Sequence, residues 1–402
     1  MFNFDFIYLI VNLILLSTFI YSGRHISKGE NYTHYSILCV VIFTLALGLR
    51  YGRGNDYFHY MDIYVYGYHD GSQLVFTWIN GFLKRLGVGA HYIFFFYSFI
   101  EIVCAMIFLK RFKQYAQYML PLFLIATIFF DEYQIRQALG FSFGFLCLDS
   151  VFDLQKKGMK NFVSQKKILG KVWQPILYFT LAYSIHSVCG YMLIIMITIY
   201  FLYQRTIPLF FSIPALLFAT YFFSEWFDFS WLNPILSQFV GEDEHLMLYV
   251  DNADKWFSSE GMEEKYVRSP LILAFEMLGT ISLYILGAKV INKYVRTPEA
   301  YAMYNYFVIG SIMLNAFRQL EILNRIGGDF AIFWFFPVAM VLQYRKHFLL
   351  SMNIKRRSII SNSSFWGNSF YKTLSVFLLW FVYDYLKYLF MRGEMTKFLW
   401  DI

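Results

Sequence analysis

The chain has 402 residues, of which 58% are hydrophobic, 22% aromatic and only 15% charged, with a net charge of +7. Soluble domains usually carry about 25% charged residues, and a soluble fold could not cover this much apolar surface. The composition therefore excludes a soluble enzyme, a nucleic-acid-binding protein and a disulfide-stabilised secreted domain. It predicts a single integral membrane domain over residues 1–402.

Apolar runs close to the length needed to cross a bilayer, about 20 residues, recur along the chain. Single runs cover residues 4–22, 35–50, 90–109, 207–223, 269–288, 300–317, 329–344 and 373–390. Two longer stretches, 119–149 and 174–204, are interrupted by polar residues, the first at Asp131–Arg136 and the second around His186. The first run has no basic leader and no small-residue cleavage site, so we expect it to be retained as a helix.

The basic residues decide whether each long stretch crosses once or twice. Lys110 and Lys113 precede residues 119–149, and a lysine cluster at 156–171 follows them. Short loops rich in Lys and Arg remain in the cytoplasm, so this stretch is predicted to cross twice and to turn outside. Arg205 is also expected inside, so residues 174–204 are predicted to cross twice as well and to turn outside near His186. The result is an all-α polytopic fold of about twelve transmembrane helices with both termini outside.

Three further segments are assigned from charge and pattern. Residues 224–268 contain ten acidic and three basic residues, which predicts a large extracytoplasmic loop. Segment 73–89 is amphipathic and is expected to lie flat on the outer surface. The last run, 373–390, would place lysines outside against the charge rule, so an interfacial position remains the alternative. The four cysteines lie in apolar runs without metal-site spacing and are expected to be buried.

Arginine does not follow the lysine pattern. On the predicted outer face, beside the ends of spans, lie Arg50, Arg53, Arg136, Arg268, Arg318 and Arg325. A single arginine at such a position is most often a headgroup anchor. Several together, where few cations are expected, favour an anion site, because the guanidinium group binds phosphate in a bidentate manner.

Two of these arginines have a local context that suits an anion. Arg136 is predicted to start the helix that follows Asp131 and Glu132, and these two acids are expected to cap it. Free N–H groups and the positive dipole end would favour an anion there. Arg325 precedes Gly327-Gly328-Asp329, in which the glycines are expected to let a ligand approach the backbone and the aspartate to cap the next helix.

Candidates for proton transfer are few. His186 lies between two apolar half-stretches, and imidazole is suited to proton transfer near neutral pH. The alternative is a structural histidine in a polar pocket. Asp56 and Asp62 could cap a helix, pair with Arg53 or act as a base. The Walker loop, the dinucleotide-binding glycine motif, HExxH and GxSxG do not occur in the sequence.

Three short motifs, in this order, resemble a known family. They are Arg-Tyr-Gly-Arg-Gly-Asn-Asp-Tyr at 50–57, Ile-Arg-Gln-Ala-Leu at 135–139 and Leu-Ala-Tyr-Ser-Ile-His-Ser at 181–187. Asn324-Arg325-Ile326 with Phe330 and Phe-Phe-Pro at 335–337 also fits. These motifs are similar to those of the Wzy-type polysaccharide polymerases, in particular the EpsG-like branch. Ile185 and Gly140 depart from the Phe and Ala that are commoner at these positions.

The resemblance implies a bacterial glycosyltransferase of the cytoplasmic (inner) membrane, with a glycosyltransferase-C-like fold and an active site facing the periplasm or the cell exterior. Such enzymes transfer a growing glycan from undecaprenyl pyrophosphate to the non-reducing end of the next lipid-linked repeat unit. The implied partners are undecaprenyl-pyrophosphate-linked oligosaccharides, membrane lipid and a chain-length regulator protein, and no nucleic acid.

On this basis Arg50, Arg53, Arg136 and Arg325 are predicted to bind the pyrophosphate, with Arg318 in support. His186 is the first candidate for the base and Asp56 the second. No metal and no cofactor are expected, because Asp56 and Asp62 do not form the carboxylate pair of metal-dependent membrane glycosyltransferases. An O-antigen ligase and a lipid-linked oligosaccharide flippase stay open as alternatives. Arginines on one face only favour an enzyme over the flippase.

Overall fold

The computed structural model describes residues 6–54, 56–67, 73–158, 165–223, 270–318 and 321–356, together with residues 379, 385, 397 and 398. This part of the chain is α-helical apart from one pair of two-residue strands. It divides into two compact units. The first comprises Met1–Leu202 with Tyr383–Ile402, and the second comprises Tyr203–Val382.

The first unit is built from helices of very different lengths. In chain order they are α1 (Phe6–Ser27), α2 (Tyr32–Gly48), α3 (Tyr57–Tyr66), α4 (Leu74–Arg85), α5 (Ile93–Leu109), α6 (Ala116–Tyr133), α7 (Ile135–Gly158), α8 (Gln165–Ile185) and α9 (Ser187–Leu202). Short 3-10 turns, Ala90–Tyr92 and Lys110–Tyr115, lead into α5 and α6. Strand β1 (Arg50–Tyr51) pairs antiparallel with β2 (Lys397–Phe398), which joins the C-terminal segment to the residues just after α2.

Contacts between helices define a basic end of this unit, named for Lys110, Arg111 and Lys113. The Tyr32 hydroxyl donates to the Met106 carbonyl at 2.5 Å, which brings the start of α2 to the end of α5. Arg111 donates to the carboxylate of Asp149 at 2.6 Å and to that of Asp153 at 2.7 Å, which brings α7 to the same end.

The opposite end is the arginine end, which carries Arg50, Arg53 and Arg136. Arg53 contacts Tyr8 near the start of α1 and pairs with Glu132 near the end of α6. The long helices α1, α2, α5, α6 and α7 therefore alternate in direction along the chain. The lysine-rich connections and the arginine motifs lie at opposite ends, as the sequence predicted.

Both predicted interruptions of the long apolar stretches are present. Gln134 has non-helical angles (φ −115°, ψ 50°) between α6 and α7. His186 separates α8 from α9 in the same way. Asp149 of α7 lies at the basic end, as does the start of α6, so the chain reverses direction at Gln134. The Phe152 and Tyr200 rings are 4.6 Å apart, which returns α9 to the basic end beside α7.

An aromatic core holds α3 and α4 against the longer helices at the arginine end. Tyr57 stacks on Phe94 of α5 with ring centroids 4.1 Å apart, and the Tyr64 hydroxyl donates to the Val88 carbonyl at 2.6 Å. Ile135, Leu139 and Ile185 complete this core, which thereby fixes α3 and α4 over the start of α7 and the end of α8.

The predicted amphipathic segment 73–89 contains helix α4. Its 12 residues span about 18 Å at 1.5 Å per residue, well short of the roughly 30 Å hydrocarbon core. The helix is confirmed, and its position flat on the membrane stays a prediction.

The second unit contains α10 (Leu209–Phe218), α11 (Pro270–Val290), α12 (Pro298–Ala316), α13 (Glu321–Ala331) and α14 (Phe335–Arg356). The first two of these helices continue as π-helical turns, Ala219–Phe223 and Ile291–Val295. Thr297 caps α12 by accepting a hydrogen bond from the Ala300 amide at 3.3 Å. The buried side chain of Asn305 binds the carbonyl of Arg205 and the amide of Ile207, which fixes the segment before α10.

The glycine-rich segment after Arg325 differs from its predicted structure. Gly327, Gly328 and Asp329 lie inside α13, so the prediction that Asp329 caps the following helix is wrong. A Cβ atom at Gly327 would lie 2.8 Å from the Leu314 amide nitrogen, and one at Gly310 would overlap the backbone of Ala331. These two glycines bring α12 and α13 into backbone contact, and this close packing accounts for Gly327 without a ligand.

Several described helices are long and apolar enough to cross a membrane. They are Ile7–Ser27, Ala90–Tyr133, Ile135–Leu154, Pro270–Val295 and Leu323–Arg345, with shorter apolar helices at Tyr32–Gly48, Ser187–Leu202 and Leu209–Phe223. The prediction of an all-α membrane protein is therefore confirmed. The predicted acidic loop 224–268 and most of the predicted span 373–390 lie outside the described residues.

We expect the two ends of the first unit to be distinguishable by chemical labelling in intact cells. The native cysteines are buried, so they should not react with the label. Asp62→Cys, exposed on α3 at the arginine end, should react with a membrane-impermeant maleimide. Lys113→Cys, exposed at the basic end, should react only after permeabilisation. The reverse pattern would contradict the orientation deduced from the lysines.

Candidate functional site

The chain leaves α2 through a segment shaped by two glycines. Gly52 (φ +64°) and Gly54 (φ +97°) adopt left-handed angles that disfavour other residues. The intervening turn directs both Arg50 and Arg53 into the protein, where they are 1% and 3% exposed. The Arg-Tyr-Gly-Arg-Gly pattern therefore encodes a turn that carries two buried cations.

Arg53 has a partner of opposite charge. Its guanidinium group forms an ion pair with Glu132, which is 1% exposed, and its Cζ atom lies 3.9 Å from the centroid of the Tyr8 ring. An ion pair withdrawn from water is expensive to break, because the remaining charge stays buried. This pair therefore ties the turn after α2 to the end of α6.

Arg50 lies beside a second group of acids. Its Nη2 atom donates to the Asp131 carbonyl at 3.4 Å, and its guanidinium lies 5.6 Å from the Phe94 ring centroid. Glu101 of α5 and Asp131 both interact electrostatically with Arg50. We call Arg50, Arg53, Glu101, Asp131 and Glu132 the arginine–carboxylate cluster. All five side chains are buried.

Glu101 is the member of this cluster that the sequence reasoning missed. It is the only charged residue of α5, inside the run Ile93–Leu109, and it is 4% exposed. Ionisable residues inside apolar helices are candidates for function or for buried pairing. The isolated acidic residue within an apolar run was therefore visible in the sequence.

The end of α6 fits closely against the turn after α2. A Cβ atom on Gly54 would overlap the carbonyl oxygen of Glu132. Asp131 and Glu132 lie in the last turn of α6, so the prediction that they cap α7 is wrong. Gln134 ends α6 after them, and their contacts are with the arginines of the turn after α2: Arg50 for Asp131 and Arg53 for Glu132.

Arg136 lies in the first turn of α7, as predicted. It is half-buried, and its Nη1 atom donates to Oε1 of Gln73, the residue immediately before α4. Gln73 is itself buried. The N-terminal end of α7 adds the positive end of the helix dipole to the charge of Arg136. This combination suits a phosphate group.

His186 lies close to the same face of α7. The residue is half-buried, its amide donates to the Ala182 carbonyl at 3.0 Å, and its carbonyl accepts from the Cys189 amide at 3.0 Å. A Cβ atom at Gly140 would lie 3.3 Å from the His186 Cβ, so the glycine permits this approach. Arg136 and Gly140 are four residues apart and share one helix face, which brings Arg136 and His186 to one side of α7.

The other predicted residues occupy different positions. Asp56 precedes α3, is half-buried and makes no capping hydrogen bond with its side chain. Arg318 is half-buried after α12 and Arg325 is exposed on α13, both in the second unit. Their predicted role in binding pyrophosphate stays a prediction. Arg268 lies outside the described residues.

Within the described ranges, no three His, Cys, Asp or Glu side chains are grouped so that they could hold a metal ion. The prediction that the protein needs no metal remains untested.

Together these features define a helical membrane protein with a buried charge cluster and a cationic helix start at one end of its first unit. The chain belongs to the EpsG family, whose profile matches residues 32–354. That range includes all three motifs, so the predicted relationship is confirmed. The family is a bacterial membrane family with a polysaccharide-polymerase type of function. Comparisons with curated proteins and with solved structures found no match.

We expect strong energetic coupling between Arg53 and Glu132. Arg53→Gln or Glu132→Gln should each lower the free energy of unfolding by about 3–5 kcal/mol, because each leaves one buried charge without its partner. The double variant should lose less than the sum of the two. Thermal unfolding of the purified protein in detergent measures this cycle. Additive losses would show that the two residues are not coupled.

Gly54→Ala tests the fit between the turn and α6. Gly29 is a matched control, because its φ of +93° is nearly that of Gly54 (+97°) but a Cβ atom there would meet nothing within 4 Å. Gly29→Ala should cost about 1–2 kcal/mol from backbone strain alone. Gly54→Ala should cost at least about 2 kcal/mol more because of overpacking. Equal losses in thermal unfolding would contradict the close fit.

Proposed function

We propose that this protein polymerises lipid-linked oligosaccharide repeat units. It would transfer the growing glycan from undecaprenyl pyrophosphate to the non-reducing end of the next lipid-linked unit at the outer leaflet. Membership of the EpsG family supports a polysaccharide polymerase. The observation that carries the proposal is Arg136 in the first turn of α7, on the face that approaches His186.

The proposed reaction is a displacement at the anomeric carbon. The bond from this carbon to the pyrophosphate oxygen breaks and the bond to the acceptor hydroxyl oxygen forms. The proton of the hydroxyl passes to His186, which returns it to solvent. Negative charge grows on the leaving pyrophosphate, and Arg136 with the helix start would stabilise it without reorganisation. Asp56, also half-buried at the arginine end, is the second candidate for the base.

Arg50 and Arg53 enter this proposal in a different way from Arg136. Both were predicted to bind pyrophosphate, but each lies beside buried carboxylates of the cluster. We propose that their main effect is to hold the corner between α6 and α7, which presents Arg136. For Arg325, and for Arg318 in support, the sequence-based proposal that they bind pyrophosphate is kept.

The wider features of the proposal rest on the sequence and the family. About twelve spans in a glycosyltransferase-C-like arrangement, with the acidic loop 224–268 outside, would enclose a site facing the periplasm or the cell exterior. The carboxylate pair expected in metal-dependent relatives is not evident at Asp56 and Asp62, which favours metal-independent catalysis. A chain-length regulator is a further proposed partner.

An O-antigen ligase or a lipid-linked oligosaccharide flippase would also use cationic residues near the membrane surface. A ligase would share the leaving group and the base but deliver the glycan to a different lipid acceptor. A flippase needs cations along a path through both leaflets, whereas Arg50, Arg53 and Arg136 gather at one end of the first unit. This distribution favours the enzyme.

Arg136→Ala should abolish polymer while the protein level stays normal. The purified protein with lipid-pyrophosphate-linked repeat units should give a glycan ladder on a gel, with and without a chelator. Removing Arg136 should lower the rate by about 10²–10³-fold, because one charge-stabilising donor is lost. Arg85→Ala, on the exposed side of α4, is the matched control and should leave the ladder intact. Long polymer from Arg136→Ala would show that Arg136 is only a headgroup anchor.

His186→Gln should lower the polymerisation rate by about 10²–10⁴-fold, the usual contribution of a general base. The wild-type rate should fall as the pH falls, because protonated imidazole cannot accept the hydroxyl proton, and the variant should lose this dependence. The control is His59→Gln on the exposed side of α3. A variant that kept both the rate and the pH profile would assign His186 a structural role.

A further inference from the structure

Helix α4 has an exposed apolar stripe that the proposed chemistry does not use. Its members are four residues apart and lie on one face. They are Leu74, Trp78 and Phe82 of the helix and the C-cap residue Leu86, which are 72%, 67%, 48% and 62% exposed. The rings of Trp78 and Phe82 stack with centroids 5.9 Å apart. We call these four residues the α4 stripe.

Folding of the first unit does not account for the α4 stripe. The opposite side of α4 already packs on the aromatic core through Phe76 and Leu83. The helix is also too short to cross the membrane, so its exposed face is not that of a spanning helix. On a helix that lies flat at the outer surface, as predicted for segment 73–89, the stripe faces the apolar chains of lipids.

Gly81 leaves an open notch beside the stripe. A Cβ atom built on it would meet nothing within 4 Å. A glycine inside a helix is destabilising relative to alanine. Here neither a positive φ nor a close neighbour among the described residues requires it. The notch adds room next to Trp78 for a chain lying along the helix.

The α4 stripe begins next to the proposed phosphate site. Leu74 follows Gln73, whose side chain accepts the hydrogen bond from Arg136. An apolar track of about 18 Å therefore starts one residue from the contact that holds the cationic start of α7. The arrangement is complementary to an amphiphile with an anionic head and one long apolar tail.

We propose that the α4 stripe binds the polyprenyl chain of the lipid-linked substrate, with its pyrophosphate at Arg136. The inference deepens the proposed function and rests on its assignment of Arg136. A pyrophosphate carries more negative charge than the phosphodiester of a phospholipid, which suits an arginine combined with a helix N-terminus. This charge match favours the polyprenyl pyrophosphate over bulk phospholipid as the occupant.

Photo-crosslinking of the full-length protein in detergent tests the proposal. The probe is a prenyl pyrophosphate whose tail carries a benzophenone, and labelled peptides are mapped by mass spectrometry. Labelling should fall within residues 74–86. Excess undecaprenyl pyrophosphate should displace it, and the same concentration of phosphatidylglycerol should not. Equal displacement by phosphatidylglycerol would overturn the proposal and make the stripe a bulk-lipid contact.

Variants supply a second readout. Trp78→Ala should weaken displacement by undecaprenyl pyrophosphate about tenfold, since a large apolar contact is lost. Trp173→Ala is the matched control, because Trp173 is a tryptophan of the same unit that is 55% exposed on α8. Gly81→Leu fills the notch without removing a packed group and should also reduce labelling. Loss of labelling in Trp173→Ala, or unchanged labelling in Gly81→Leu, would contradict the proposal.

The proposed lipid site on the α4 stripe and the proposed polymerase activity can be refuted independently. A ladder that depends on Arg136, together with labelling outside residues 74–86, would refute the α4 stripe and leave the polymerase in place. Specific labelling that is lost in Arg136→Ala, without any ladder from the wild type, would retain the lipid site and refute the polymerase.

Discussion

The arginine end of the first unit depends on charges buried together in a region of low dielectric. Arg53 with Glu132, and Arg50 with Asp131 and Glu101, connect the turn after α2 to α5 and to the corner between α6 and α7. Each charge alone would be very costly to bury, so the partners must be positioned together. Arg136 follows that corner by a few residues, and its position therefore depends on the cluster.

Sequence patterns identified the elements whose cause is local. The polar interruptions at residues 131–137 and at His186 predicted two reversals, and the structure has helix boundaries at Gln134 and His186. The helix start at Arg136 and the amphipathic helix within 73–89 were also predicted. In each case a short window contains the whole signal, since apolar periodicity and a polar break determine it.

Pairings between distant residues could not be predicted in this way. Asp131 and Glu132 were interpreted as caps because they precede a helix, but their partners are the arginines of a turn some 80 residues earlier in the chain. The contact of Gln73 with Arg136 gives no signal in sequence. Gly327 was interpreted as a ligand contact, whereas its neighbour is the backbone of α12. Such partners become visible only when the helices are assembled.

The pairing of β1 with β2 has a consequence for biosynthesis. Arg50 and Tyr51 pair with Phe398 and Lys397, which leave the ribosome only after all the residues between the two strands have been synthesised. The arginine turn is therefore without its partner strand while these residues are synthesised, and closing so long a loop is entropically unfavourable and slow. Assembly around the turn is therefore completed well after α1 and α2 have been synthesised, so insertion of the early helices and maturation of the site are separated in time.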